Sequence, residues 1–195
     1  VSDQLTCLLR DMPVHAIKVG MVPTTDIAKA LVTILAPVEV PIVFDPVGSA
    51  TSGARLSEVD DDTFDALLHA STVITPNGLE LSRCIKQKRP SVWAQEHGVA
   101  VFHTGGHGLG QTICDTLWMN SGRRKDWQHR KVNSSHSHGS GCTLSTAVAV
   151  GLARGKSLVD ACEEAVQFVT QIIERSAANN LVNENGPLLH FTWDG

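Results

Sequence analysis

The residues with the clearest capacity for chemistry run Ser137-His138-Gly139-Ser140-Gly141-Cys142-Thr143-Leu144. They follow a polar, non-periodic segment and open a helical pattern, with apolar or small residues at Leu144, Ala147, Val148, Gly151 and Leu152. Gly139 and Gly141 lack a Cβ, so backbone N–H groups there can approach a ligand closely. The unpaired N–H groups of a helix's first turn, backed by the macrodipole, form an anion site. Such a turn suits phosphate and the charge that develops during phosphoryl transfer. A thiol placed there, Cys142, is expected to have a lowered pKa and to serve as an acid–base group. Taken alone, the same residues also describe a glycine-containing turn before a core helix.

Four further segments carry polar groups directly after apolar runs: Gly20-Met21, Asp45-Pro46-Val47, Thr75-Pro76-Asn77 with Glu80, and Thr104-Gly105-Gly106-His107. Asp45 fits either a cap of the following turn or a metal- or phosphate-side carboxylate. Asn77 after Pro76 is a common turn residue, and Glu80 three positions on adds a carboxylate. His103, His107, His136 and His138 with Cys142 do not have a usual structural-zinc spacing. Cys84, Cys114 and Cys162 read as small buried hydrophobes. The basic run from Lys86 to Arg89 reads as a solvated face.

The elements that must position these groups alternate. A helix over Ser2–Met12 puts Leu5, Leu8, Leu9 and Met12 on one face and stops at Pro13. Ala16–Val19 is a short strand, and Thr24 or Thr25 caps a helix carrying Ile27, Ala30, Leu31, Ile34 and Leu35. Val40–Phe44 is a buried-type strand, Gly48–Arg55 a polar loop, and Ser57 starts a helix with Val59, Phe64, Leu67 and Leu68 inward. Val73-Ile74 and Val99–His103 are strands, with a helix over Ser91–His97 between them. Thr112–Met119 and Trp127–Val132 alternate as a hairpin joined around Ser121-Gly122. Ser157 and Asp160 predict a capping box for a last helix. Strands alternating with helices predict a mostly parallel sheet covered on both faces, with ligands beyond the carboxyl ends of its strands. The chemistry-bearing loops all fall at that edge.

Composition narrows the class. The chain has 195 residues, 42% of them hydrophobic and 18% charged, as in one ordinary globular domain. A net charge of −4 gives no support for a nucleic-acid or membrane partner. No apolar run is long enough to span a bilayer and no signal peptide is visible. Five cysteines, odd in number and unpaired in spacing, fit a reducing cytoplasm.

Together the loops resemble the hydroxymethylpyrimidine/phosphomethylpyrimidine kinases of thiamin synthesis, in the ribokinase superfamily. The matching segments are His15–Met21, Ile42–Val47, Val73–Asn77 with Glu80, Gly105–His107, His138–Ser145 and the tail Gly186–Phe191. Most ribokinase relatives carry Asp where Cys142 stands. The resemblance implies a three-layer ribokinase-like fold and a cytoplasmic, ATP- and Mg²⁺-dependent kinase. Its substrate would be a small pyrimidine alcohol or the corresponding monophosphate, and the enzyme a homodimer. By the same resemblance Gly139, Ser140, Gly141 and Cys142 form the anion hole, with Cys142 at the substrate hydroxyl. Asn77 and Glu80 hold the Mg-bound triphosphate, Asp45 and Glu80 face the metal, and Thr104, Gly105, Gly106 and His107 lie along the nucleotide. Met21 and Val47 line the pyrimidine pocket. Phosphoryl transfer requires alignment, a metal and donors aimed at developing charge more than it requires a strong base. The family usually has Lys at position 104, Thr-Lys-Asn-Thr-His where Ser134–His138 stands, and Lys-Ser-Gly-Asp where Thr51–Ala54 stands. Its N-terminal section has no counterpart in residues 1–195, so these residues are expected to form a single ribokinase-like domain lacking that section, unstable as a monomer alone. The alternatives are a pyridoxal kinase of the same superfamily, or a non-catalytic relative that binds a nucleotide or pyridoxal phosphate.

Overall fold

A computed structural model describes residues 1–48, 56–106, 110–134, 138–178 and 186–192. Six strands form one sheet in sequential order: β1 (Ile17–Val19), β2 (Ile42–Phe44), β3 (Val73–Ile74), β4 (Ala100–His103), β5 (Thr112–Trp118) and β6 (Arg124–Arg130). The first four are mutually parallel, and the β5–β6 hairpin adds antiparallel to β4. The sheet is therefore mixed, with the expected parallel part and hairpin both present.

Side chains alternate between its faces, as the pleat requires. Phe44, Ile74 and Val101 point into one apolar cluster, against α2 (Thr25–Leu35), α3 (Asp61–His69), α4 (Gly78–Ile85) and α5 (Pro90–His97). Val43, Val73, Ala100, Phe102 and Leu117 point into the other, against α6 (Ser140–Ala153) and α7 (Leu158–Ala177). These are the three layers of the expected α/β class. At the crossing of α6 and α7, a Cβ on Gly151 would lie 2.7 Å from Ala161 Cβ. The two helices touch there nearly backbone to backbone.

Several local expectations shift. Ser57 does not start a helix; α3 begins at Asp61, because the Asp60 carboxylate accepts the Thr63 N–H at 2.9 Å and makes the better cap. Thr24, not Thr25, caps α2. The segment after Asn77, which carries no assigned element in the sequence reading, is the helix α4. The first helix, α1 (Ser2–Asp11), has no buried residue, and Leu8 and Met12 of its expected apolar face are exposed. At α7 the box is incomplete: Ser157 Oγ accepts from the Asp160 N–H but donates to the Asp160 carboxylate. Among the described residues, no helix is long and apolar enough to cross a membrane.

Candidate active site

Main-chain hydrogen bonds carry the sheet one residue past its strands and place the loops at its carboxyl edge. Asp45 N–H donates to the Val19 carbonyl at 2.9 Å, Thr75 N–H to Phe44 at 3.0 Å, and Thr104 N–H to Pro76 at 3.1 Å. Val47 N–H closes a tight turn onto the Asp45 carbonyl at 2.8 Å. The Asp45 side chain is thus fixed at the edge and is only 4% exposed. Its Oδ2 accepts the Ser145 hydroxyl at 3.0 Å and lies 3.6 Å from Lys18 Nζ. A buried carboxylate needs such partners. A side chain at position 20 would crowd that cation, since a Cβ on Gly20 would come within 2.7 Å of Lys18 Nζ.

The turn before α6 has Gly139 at φ +84°, a left-handed conformation that a residue with a Cβ adopts only with strain. No side chain caps the helix, and the space beside Gly139 and Gly141 is open. The first regular bond is Thr143 N–H to the Gly139 carbonyl at 2.9 Å, so the N–H groups of Ser140, Gly141 and Cys142 lie in the uncapped first turn. Ser145 is fully buried one turn further and ties this helix to Asp45, joining the end of β2 to the anion turn.

Cys142 departs from expectation. The protein packed around its sulfur and the negative charge of Asp45 push the thiol pKa up, against a smaller opposing pull from Lys18. Cys142 is therefore a protonated thiol at neutral pH rather than a lowered-pKa base. Cys84 and Cys162 are buried, as expected, and burial raises both thiols well above the usual range; Cys114 is half-buried.

Asn77 and Glu80 meet in a capping box at the start of α4. The Asn77 side chain accepts the Leu79 and Glu80 N–H groups at 2.9 and 3.1 Å, and Glu80 Oε2 accepts the Asn77 N–H at 3.0 Å. Burial raises the Glu80 pKa; the bond from Asn77 opposes this, and the Asp45 charge adds to it. Two carboxylates close enough to disfavour each other's charge attract a cation. Thr104 pairs with Asn77 through a parallel bridge, bringing the next loop alongside. Gly105 N–H donates to the Asp115 carboxylate at 2.8 Å. Met21 is exposed and Val47 half-buried near this edge, whereas His107 and positions 51, 135 and 136 lie outside the described residues.

A cavity of about 750 Å³ opens from the anion turn along the groove between α6 and α7. It runs from Cys142 and Thr143 past Ala147 and Val150 to Phe168. His190, from the C-terminal tail, closes one side, with Nε2 3.0 Å from Thr143 Oγ1.

Sequence reasoning missed Lys18, Ser145, His190 and Asp115. Two of them left a signal: Lys18 is a charge inside an apolar strand, and Ser145 is a polar residue at the inward spacing of α6. Among the described residues no group of three or more His, Cys, Asp or Glu side chains is placed to hold a metal. The pair Asp45 and Glu80 fits Mg²⁺, which commonly takes one or two carboxylates and fills its remaining positions with phosphate and water.

A sheet of this order, covered on both faces and carrying an anion turn at its carboxyl edge, defines the ribokinase-like class of small-molecule kinases. A *Staphylococcus aureus* pyridoxal kinase, solved with AMP-PCP and pyridoxal, superposes with a TM-score of 0.80 at 27% identity, covering 98% of this chain and 72% of that one. A *Clostridium difficile* phosphomethylpyrimidine kinase shares the fold with a TM-score of 0.67 at 24% identity, over 87% of this chain and 74% of that one. Residues 1–188 match the phosphomethylpyrimidine kinase family, and the chain belongs to it. A hydroxymethylpyrimidine/phosphomethylpyrimidine kinase of *Synechococcus elongatus* is 30% identical over 98% of this chain and 76% of its own length. The one from *S. aureus* is 31% identical over 99% and 74%.

Proposed function

We propose that this chain transfers the γ-phosphoryl group of ATP to the hydroxymethyl group of 4-amino-5-hydroxymethyl-2-methylpyrimidine, and then phosphorylates the resulting monophosphate. The observation that carries the reading is the Ser145–Asp45 bond of 3.0 Å, which locks the anion turn of α6 to the acidic edge of the sheet. That link supports a single site in which donors for developing negative charge and carboxylates for a cation act together.

In this reading the first-turn N–H groups of Ser140, Gly141 and Cys142 receive the transferring phosphoryl group. The groove between α6 and α7 takes the rest of the nucleotide, with Ala147, Val150 and Phe168 against its apolar part. Thr104, Gly105 and Gly106 line the phosphates on the opposite side. A Mg²⁺ ion held through Asp45 and Glu80 would neutralise phosphate charge. Lys18 balances Asp45 and keeps that carboxylate in place. Cys142, protonated, hydrogen-bonds the substrate oxygen and orients it, so rate comes from alignment more than from proton removal. Met21 and Val47 bound the pyrimidine. Residues 1–195 act as one domain. The five free thiols support a cytoplasmic setting, and the exposed Leu8 and Met12 of α1 support a homodimer.

The likeness to pyridoxal kinase at 27% identity favours one second reading, with pyridoxal as the acceptor alcohol. An ADP-release assay on purified protein with the pyrimidine alcohol, its monophosphate and pyridoxal separates the two. Preference for the pyrimidine supports the proposal, preference for pyridoxal replaces it, and turnover of neither refutes both.

A further inference from the structure

Asp115 lies in the middle of β5, opposite Trp127 of β6, and is 5% exposed, so a carboxylate is buried inside the strand. Its two oxygens are divided between two elements. Oδ1 accepts the Gly105 N–H at 2.8 Å, and Oδ2 lies 3.0 Å from Nε2 of His129 on β6. The hydrogen bond to Asp115 holds the His129 pKa above its ordinary value, against the effect of burial. An imidazole N–H, a carboxylate and a main-chain N–H thus form a continuous relay from the hairpin to the loop after β4.

The backbone at Thr104 and Gly105 has little other freedom. A Cβ on Gly105 would stand 2.4 Å from the Cys114 carbonyl oxygen, so the backbone is pressed directly onto β5. On its other side Thr104 N–H is bonded to Pro76 at 3.1 Å, beside the Asn77 cap. A neutral acceptor would satisfy a single N–H at lower desolvation cost than a buried carboxylate. The charge gains its value by making a stronger bond to that N–H and by recruiting His129 as a brace. A second polar set on the same hairpin, Thr116 Oγ1 to Asp126 at 2.7 Å with Arg124, joins β5 to β6.

The geometry points to Asp115, braced by His129, as a positioning residue that fixes the Thr104–Gly106 backbone for nucleotide binding. The inference rests on the reading of that loop as the nucleotide side of the site. Asp115 itself touches no ligand; it acts through the Gly105 peptide. Its loss should therefore weaken nucleotide binding while leaving the acceptor alcohol and the transfer step alone.

The test uses the full chain with Asp115→Asn, His129→Leu, His129→Gln and, as a control, Thr116→Val. Calorimetry with AMP-PCP gives nucleotide affinity without needing turnover; kinetics give KM for ATP, KM for the alcohol, and kcat. Loss of a charge-assisted bond predicts about tenfold weaker AMP-PCP binding and a similar rise in the ATP KM for Asp115→Asn. Both kcat and the alcohol KM should stay within about twofold. His129→Leu should weaken nucleotide binding in the same direction, and His129→Gln, which keeps an N–H aimed at Asp115, should restore it. Thr116→Val should lower Tm with nucleotide affinity unchanged. Unchanged AMP-PCP affinity in Asp115→Asn and His129→Leu would overturn the inference. So would a loss in Thr116→Val as large as in Asp115→Asn, because the hairpin would then matter only for stability. Wild-type protein that binds AMP-PCP without turnover would sink the kinase reading and leave this inference to the variants. Wild-type protein that does not bind AMP-PCP sinks both.

Discussion

Replacing Glu80 by Gln separates a helix cap from a cation ligand. Gln keeps an oxygen that can accept the Asn77 N–H, now received at 3.0 Å, so the box around α4 survives. What disappears is a half-buried negative charge beside Asp45. Burial and Asp45 raise the Glu80 pKa above its ordinary 4.5, so the folded protein binds that proton more tightly than the unfolded chain does. The favourable contribution of this group is complete below the unfolded pKa and is lost as pH rises through the folded one. Glu80→Gln should therefore be as stable as wild type or more so at pH 7, with a flatter fall in Tm as pH rises from 4.5. Asn77→Ala behaves oppositely. It removes the acceptor for the Leu79 and Glu80 N–H groups. That costs about 1 kcal/mol, the usual loss for an N-cap, or roughly 2–4 °C in Tm for a domain of this size. Thermal unfolding from pH 4 to 8 gives the stability arm, and ADP release at graded Mg²⁺ the functional arm. Glu80→Gln should lose at least about tenfold in activity at low Mg²⁺, as removal of one charged ligand contact implies. Wild-type kcat and Mg²⁺ dependence would show that Glu80 is a cap and nothing more. A Tm below that of wild type at pH 7 would refute the argument that its charge opposes folding.

Three further outcomes are expected. Iodoacetamide should label Cys7 and Cys142 but leave the buried Cys84 and Cys162 untouched in the folded protein. Its rate at Cys142, followed by peptide mass spectrometry, should still be rising at pH 9; a plateau near pH 7 would contradict the raised thiol pKa. Gly151→Ala gains helix propensity of about 1 kcal/mol but places a methyl 2.7 Å from Ala161 Cβ. Overpacking of about 1–3 kcal/mol should prevail at so short a contact, so urea unfolding should show a loss of stability that Ala161→Gly in the same chain partly reverses. Lys18→Met strips the cation from a buried carboxylate. Full burial would make this cost about 3–5 kcal/mol, but Lys18 keeps 20% side-chain exposure and Ser145 still bonds Asp45. A loss of about 2–3 kcal/mol is therefore expected on the same principle, measured by urea unfolding, and a change under about 0.5 kcal/mol would refute it.

What the sequence showed and what it hid follow from range. Apolar runs ending in Asp45, Thr75 and Thr104 mark strand ends because the pattern is local. The parallel order and the common edge then follow from alternation with helices. The helix after Asn77 escaped notice because its signal is a cap, Asn77 with Glu80, and those residues were read for chemistry. Cys142 misled for a different reason: the helix N-terminus is visible in the sequence, whereas the packing around the thiol and the charge of Asp45, 97 positions away, come into play only on folding. Asp115 and His129 were invisible because a single Asp in an alternating strand has no local signature. Only the close approach of Gly105 to β5 gives it a role.

The main-chain bonds at the carboxyl edge have a metric consequence. Asp45, Thr75 and Thr104 each hang from the carbonyl of the neighbouring segment, so their spacing is set by the distance between strands, about 4.8 Å per step. From the end of β2 to the end of β4 is two steps, and a ligand engaging both Asp45 and Thr104 must bridge roughly 10 Å. The edge is a ruler that an extended chain of groups can span and a compact anion cannot. Slipping β3 by one residue would put Pro76 at the middle mark and turn the side chains of that strand to the opposite face. The spacing of these positions is thus a property of the backbone, which side-chain substitutions leave unchanged.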